Sequence, residues 1–324
     1  MTQIDKSRFE WIGSDSARRE GISRPSTTFW KDAIGRLMKN KVAVVCFFII
    51  VLLILSCIIV PFFSPFESRE QHLGEVNKGF MTVCTDSRYE GQHHVHYFGT
   101  DNLGRDLFLR AFEGGRVSLM IAFAAVFVNL IVGLIYGGIS GYIGGAVDTI
   151  MMRIVEIVNG IPYLIVVILL MMVLPKGIFT MVVAYGITGW TGMARLVRGQ
   201  VLQLKSQEYI VAAEAMGAKS SRIIAKHLIP NALSVIIINV TLAIPSAIFT
   251  EAFLSYIGLG VPVPQPSWGV LAKGGQDVFM TYPYQLVVPA VAISLTMLSF
   301  NLLGDGLRLS LIHISEPTRL ALIS

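Results

Sequence analysis

Charge is what this sequence has little of. Asp, Glu, Lys and Arg make up 15% of its 324 residues, against 53% hydrophobic. A water-soluble domain carries roughly 25% charged residues. The shortfall excludes an ordinary soluble domain and places the chain in a bilayer. Cysteine is scarce too: there are three, and no C-x-x-C pair. Cys46 and Cys57 fall inside an apolar run and read as packing residues, whereas Cys84 stands alone in a polar segment with no evident disulfide partner. H-E-x-x-H and G-x-S-x-G are both absent, so a membrane-embedded hydrolase has no signature here. The phosphate-loop pattern also fails. In "MGAKSS" (Met216–Ser221), Ala218 precedes the lysine and Ala213 lies five residues earlier, where glycines are needed. Nucleotide binding by this chain is rejected on that ground. A net charge of +5 does not call for nucleic acid, because membrane proteins keep Lys and Arg in cytoplasmic loops.

What the chain has is long apolar runs. Six reach spanning length: Val42–Phe62, Ser118–Ile139, Ile150–Leu174, Ile178–Val197, Ala232–Leu254 and Gln285–Leu303. The expected fold is all-α and polytopic, with six transmembrane helices. The first run begins too deep for a cleavable signal and reads as an anchor that stays. Basic residues cluster in 1–41 and again in 195–227, which makes both segments, and hence both termini, cytoplasmic. The 64–112 loop is then external, and Asp and Glu outnumber Lys and Arg there. The organisation that follows is a tail with an amphipathic helix (1–41), a first span (42–62), an external loop (63–117) and a five-helix core (118–308). In the tail, Phe29, Trp30, Ile34, Leu37 and Met38 can share one face of a helix on the inner leaflet.

Between spans four and five (residues 198–231) lies "EYIVAAEAMGAKSSRIIAKHLIPN", Glu208–Asn231. It reads as a short helix, a break at Gly217 and a second short helix. Ser220 or Ser221 is the expected cap of the second helix. Ile223, Ile224, His227 and Leu228 form its apolar face, and Arg222 and Lys226 lie four apart on another. Pro230 then stops it or turns it into the fifth span. Ala212, Ala213, Ala215 and Gly217 leave a face with almost no side-chain bulk. From spacing alone, an elbow between spans and a docking surface for a partner are equally good readings.

At these residues the chain resembles the permease subunits of ABC importers, whose "EAA" cytoplasmic loop runs E-A-A, G, then I-x-L-P. Ala212, Ala213, Gly217 and Pro230 match, while Val211 replaces the glutamate, His227 the isoleucine and Ile229 the leucine. Glu208 and Glu214 lie nearby. "HYFGTDNLGRDLF" (His96–Phe108), "TGWTGMARLVRGQVLQLKSQEY" (Thr188–Tyr209) and "TEAFLSYIGLGVPVPQPSWG" (Thr250–Gly269) resemble the oligopeptide and dipeptide branch, and the likeness runs from about residue 28 to Arg308. The resemblance implies an oligopeptide importer in a bacterial cell membrane. Its partners would be a homologous second permease, two ATPases that bind ATP and Mg, and an extracytoplasmic peptide-binding protein. The ATPase-coupling residues would be Glu208, Ala212, Ala213, Glu214, Gly217, Arg222, His227 and Pro230. This chain would hold no cofactor and do no chemistry. Dipeptide or nickel is the alternative cargo within the family. An ion-coupled secondary transporter is the alternative class, and it would need mid-membrane coupling residues and broken helices in paired halves.

Four smaller features complete the reading. Asn239, Pro245 and Glu251 are expected near the translocation path, with Pro245 kinking its span. Arg153 and Glu156, three apart at the start of span three, are expected to pair and to face an interior or cavity. "DNLGRD" (Asp101–Asp106) lacks the calcium-loop pattern, and Asp101 or Asn102 reads as a helix cap. "HHVH" (His93–His96) reads as an exposed, solvated cluster, and no metal site is assigned. After Arg308 the chain continues "LSLIHISEPTRLALIS". Leu309–Arg319 matches the translation of a transposase-adaptor sequence used in library preparation, so Leu309–Ser324 is set aside.

Overall fold

Asn40 opens the first long helix. Its side-chain oxygen accepts from the Ala43 N–H at 3.2 Å, which satisfies one donor that every helix start leaves open. A computed structural model of the chain describes residues 34–85 and 94–315, with side chains described to Ser310. Phe29 and Trp30 of the amphipathic segment, Asp86, His93 and residues 316–324 lie outside the described residues. Residues 34–37 are helical, Ile34 and Met38 are exposed, and Leu37 packs on the core.

Helix α1 spans Lys41–Phe63. The described residues between 64 and 106 hold no long helix. They hold a 3-10 turn at Leu73–Glu75 and a small antiparallel ribbon, β1 (Thr82–Val83) against β2 (Val95–His96). The ribbon pairs Thr82 with His96 and Val83 with Val95. Helix α2 then runs 37 residues, Leu107–Ile143. Its cap is Asp106, whose Oδ2 accepts from the Leu109 N–H at 2.7 Å. This corrects the expected cap at Asp101 or Asn102. Asp101 is already used: its Oδ1 accepts from the N–H groups of Leu103 and Arg105, and its Oδ2 from Arg105 Nε at 2.7 Å. That is the local turn chemistry aspartate favours.

The remaining helices are α3 (Gly145–Gly160), α4 (Tyr163–Val173), α5 (Ile178–Thr188), α6 (Trp190–Lys205), α7 (Glu208–Ala215), α8 (Ser220–Ile223), α9 (Ile229–Tyr256), α10 (Trp268–Asp277) and α11 (Tyr284–Ser315). Among the described residues, four helices are long and apolar enough to cross a membrane: Lys41–Phe63, Leu107–Ile143, Ser220–Tyr256 and Tyr284–Ser310. Helices α3 and α4 make a fifth only as a pair bent by 79°, so the expected single span Ile150–Leu174 is broken. Pro162 is the cause. It has no N–H to donate and drives the residue before it out of helical space, and Ile161 is extended at φ −86, ψ 120. The expected span Ile178–Val197 is divided into α5 and α6 at Gly189.

Helices α2 and α6 pack with their backbones close. A Cβ on Gly133 would lie 2.6 Å from Met193 Cβ, and one on Gly141 2.9 Å from the Arg198 carbonyl oxygen. One on Gly137 would collide with the Ala194 carbonyl oxygen. Small residues four apart let helices approach this way inside a bilayer. Gly137→Val should therefore destabilise the purified chain by about 1–3 kcal/mol through overpacking. An unchanged unfolding temperature in detergent would contradict this contact.

The main core lies where α1, α2, α9 and α11 meet, around Ala122, Ile248 and Trp268. Trp268 enters from α10 and donates its indole N–H to the Ala111 carbonyl at 2.9 Å. Outward, α1 bares Val45, Phe48, Leu52 and Phe62, and the α3–α4 pair bares Ile150, Ile157, Ile168 and Met172. Apolar faces of this extent fit lipid or a partner helix.

Candidate functional site

The insert begins at Gln207, and α7 follows. Ile210, Ile223 and Leu228 have no exposure and pack with Met193, Val197 and Val201 of α6 and Ile236 of α9. Burying each such side chain stabilises by about 1.5–3 kcal/mol, so the insert is seated on the core and not loosely hung from it. Ala213 faces inward with them at 6% exposure.

After α7, Gly217 adopts φ +79. Its N–H donates to the Glu214 carbonyl at 2.9 Å, and the Ala218 N–H reaches the Ala213 carbonyl at 3.1 Å. This double bond pattern closes a helix on a left-handed residue, and glycine takes that conformation without strain. The second helix starts at Ser220, but Lys219 holds the cap position and no side chain caps it, which corrects the expected serine cap. The helix does not stop at Pro230. A π turn, Ile224–Leu228, widens the ladder directly before it, where a regular turn would meet the proline ring and its missing N–H. The chain continues as one helix to Tyr256.

The outward face is small and polar-rimmed. Ala212, Ala215, Met216 and Gly217 are exposed, as are Glu208, Arg222, Lys226 and Pro230 around them. His227 is half-buried. Glu214 is exposed, yet it accepts from the Tyr142 hydroxyl at 3.0 Å. Lys205 donates to the Tyr142 carbonyl at 2.5 Å and lies 5.1 Å from the centre of that ring. About two turns earlier on α6, Arg198 grips Asp148 with two hydrogen bonds of 2.5 Å, and Ser140 donates to the same carboxylate at 2.5 Å. Glu214 thus ties the insert to the inner end of α2, and Arg198 ties the helix leading into it to the start of α3.

A cavity of about 460 Å³ opens among the spans, lined by Asn129, Tyr163, Tyr185, Thr188, Asn239 and Thr250 with others. Of the three residues expected near a path, it includes only Asn239. Pro245 and Glu251 are buried elsewhere, and Glu251 Oε1 accepts from the Ser255 hydroxyl at 2.7 Å. The other polar lining was missed because the sequence reading looked for ionisable groups. Asn129, an amide inside "VFVNLIVG", was the available signal. Arg153 and Glu156 do pair, at 2.6 Å, but their side chains are 72% and 53% exposed. They face outward and not into an interior, as α3 buries only Val155.

The loop before α2 holds a third cluster. His96 is fully buried, which corrects the solvated reading of "HHVH". Its Nδ1 lies 2.7 Å from Asp106 Oδ1 and its Nε2 3.1 Å from Glu75 Oε2. Cys84 donates its thiol to Glu75 Oε2 at 3.2 Å. Burial works to raise the Glu75 carboxyl, but hydrogen bonds from the Thr85 N–H, Cys84, His96 and the Thr85 hydroxyl together hold it below its ordinary range. Burial likewise works against charge on His96, yet the two carboxylates on its ring raise it.

Comparison with known proteins gives a consistent picture. Residues 129–311 match the family model "Binding-protein-dependent transport system inner membrane component", and residues 28–79 match "N-terminal TM domain of oligopeptide transport permease C". The chain is 48% identical over 308 residues to the oligopeptide transport system permease protein OppC of Bacillus subtilis, covering 95% of this chain and 97% of that one. It is 46% identical to the dipeptide permease protein DppC of the same organism, covering 89% and 87%, and 41% identical to OppC of Escherichia coli K12, covering 94% and 97%. The inward-facing MetNI methionine ABC transporter shares the fold at a TM-score of 0.51 and 21% identity, over 63% of this chain and 97% of that one.

Proposed function

The chain belongs to the binding-protein-dependent transport system inner membrane components, and from that membership we propose that it is one permease subunit of an ATP-driven importer of oligopeptides. The observation that carries the cargo is the 48% identity to an oligopeptide permease across nearly the whole of both chains. The 46% identity to a dipeptide permease makes dipeptide the second reading.

The division of labour follows from the geometry. This chain lacks a phosphate loop, so ATP and Mg belong to separate ATPase subunits. The outward face of Ala212, Ala215 and Gly217 is where one of them docks. Small side chains let a partner approach closely, and Glu208, Arg222 and Lys226 supply charge at the rim. Glu214 braces the insert through its hydrogen bond with Tyr142, and His227 stands half-buried behind it. Closure of the ATPases shifts the insert, and the Arg198–Asp148 and Lys205–Tyr142 contacts pass the shift to α2 and α3. The bared face of α3 and α4 fits a homologous second permease, and the cavity beside Asn129 and Asn239 is this chain's half of the path. Its neutral lining suits peptides of varied side chains. Six spans with both termini cytoplasmic complete the topology, with α3–α4 and α5–α6 each counted as one span. A binding protein delivers peptide to the external loop.

The test is uptake in a strain lacking this gene. Loss of labelled tetrapeptide uptake, restored by the gene, is the expected outcome. Intact tetrapeptide uptake with loss of dipeptide or nickel uptake would reassign the cargo. Loss of none of the three would reject the reading.

A further inference from the structure

We propose that His72, Glu75, Cys84 and His96 form a binding site for a borderline divalent cation of the zinc type. The four residues come together through three short elements. The 3-10 turn supplies Glu75, with His72 just before it. The ribbon supplies His96 on β2 and Cys84 just past β1, where the Cys84 N–H donates to the His94 carbonyl at 2.8 Å. One donor atom each from His72, Glu75 and Cys84 lies within 4.8 Å of the others, and all three residues are buried. His96 Nε2 points at the same Glu75 oxygen that Cys84 touches. A tetrahedral zinc ion with ligands at about 2.0–2.3 Å holds its donors roughly 3.3–3.8 Å apart. Glu75 Oε2 is already near that spacing from Cys84 Sγ and His96 Nε2, at 3.2 and 3.1 Å, and His96, which lies outside the mutually close trio, completes the tetrahedron by closing in on the ion.

The chemistry of the set selects the metal. One thiolate, two imidazoles and one carboxylate suit zinc and its neighbours, whereas magnesium and calcium prefer oxygen alone. The outer contacts fit as well. Asp106 holds His96 Nδ1 at 2.7 Å, which fixes the ring so that Nε2 faces the cluster, the carboxylate–histidine arrangement common behind metal ligands. The fold supplies a reason for the ion. Among the described residues, the hydrophobic cluster of this loop has Phe66, Cys84 and Leu109 as its buried members, a small core for so long a segment. A closed metal site adds folding energy where a core is small.

On binding, the Cys84 S–H bond and the His96 Nε2–H bond break and both protons leave to water, while the thiolate sulfur and the freed Nε2 each donate an electron pair to the metal. Nothing is oxidised or reduced. The test titrates the untagged full chain in detergent, stripped with a chelator, using Co²⁺ alone. One equivalent should bind with a thiolate-to-cobalt charge-transfer absorption, and Zn²⁺ should displace it. Cys84→Ser should abolish that absorption. Asp106→Asn keeps a capping oxygen for α2 and should weaken binding by about 10- to 100-fold. A folded native chain that shows no thiolate absorption at saturating Co²⁺ would overturn the proposal, and this needs no variant to fold. Persistence of the absorption in Cys84→Ser would overturn it too, because another cysteine would then be the ligand.

Discussion

Ala212→Trp should cut peptide uptake about a hundredfold, equivalent to roughly 2.8 kcal/mol, while the chain still folds and inserts. Ala212 sits on α7 with its side chain exposed, so an indole there meets nothing within this chain. It stands where a partner must come close, and a single misfit at the centre of an interface typically weakens binding by 2 kcal/mol or more. Ala213→Trp is the contrast: Ala213 is 6% exposed, so a buried indole there should cost the folded chain itself. Gly217→Trp mixes both effects. A Cβ at Gly217 has open space, but its φ of +79 strains any other residue by about 1–2 kcal/mol. Uptake of labelled peptide, divided by the chain present in the membrane, separates these outcomes. If Ala212→Trp matches the native uptake at equal abundance, the insert does not couple the chain to an ATPase.

Arg198→Met carries the second large effect. The substitution keeps the apolar stem and removes both hydrogen bonds to Asp148, leaving that half-buried carboxylate with the Ser140 hydroxyl. Loss of charged hydrogen bonds around a poorly solvated acid should destabilise by about 2–3 kcal/mol. Asp148→Asn with Arg198→Met should be less damaging than the sum of the two. Thermal unfolding of the four proteins in detergent measures the coupling, expected at about 1 kcal/mol or more. Strict additivity would mean that the pair does not join α6 to the α2–α3 turn. Uptake should fall more than stability does, because this pair also lies on the route from the insert to the spans.

The broad architecture was legible because a bilayer demands long apolar helices and basic cytoplasmic loops, and both demands are written in composition. The insert was legible because Gly217 and Pro230 punctuate it. The misreadings have local causes. Pro162 is flanked by apolar residues on both sides, so composition predicts a straight span where the chain bends by 79°. Asp101, Asn102 and Asp106 compete for one cap, and only folding reveals that Asp101 is taken by Arg105. Ser220 and Ser221 have the right chemistry for a cap, one and two positions too late. His96 read as exposed because nothing near it in sequence shows Glu75 arriving from 21 residues away. The cavity residues come from four helices, and their convergence leaves no periodic trace.

The backbone contact between α2 and α6 has a mechanical consequence. Gly133, Gly137 and Gly141 put no α2 side chain between the two helices along their inner half, so they are built to tilt together as one rigid lever. The α2 arm is about 55 Å long, from 37 residues at 1.5 Å each. A rotation of about 5° applied at its inner end then sweeps its outer end through about 5 Å, half the width of a helix. Asp106 sits at that outer tip, so the buried loop cluster rides on the end of the arm. A strongly geared lever of this kind needs only a slight push from below to move the surface a binding protein would touch.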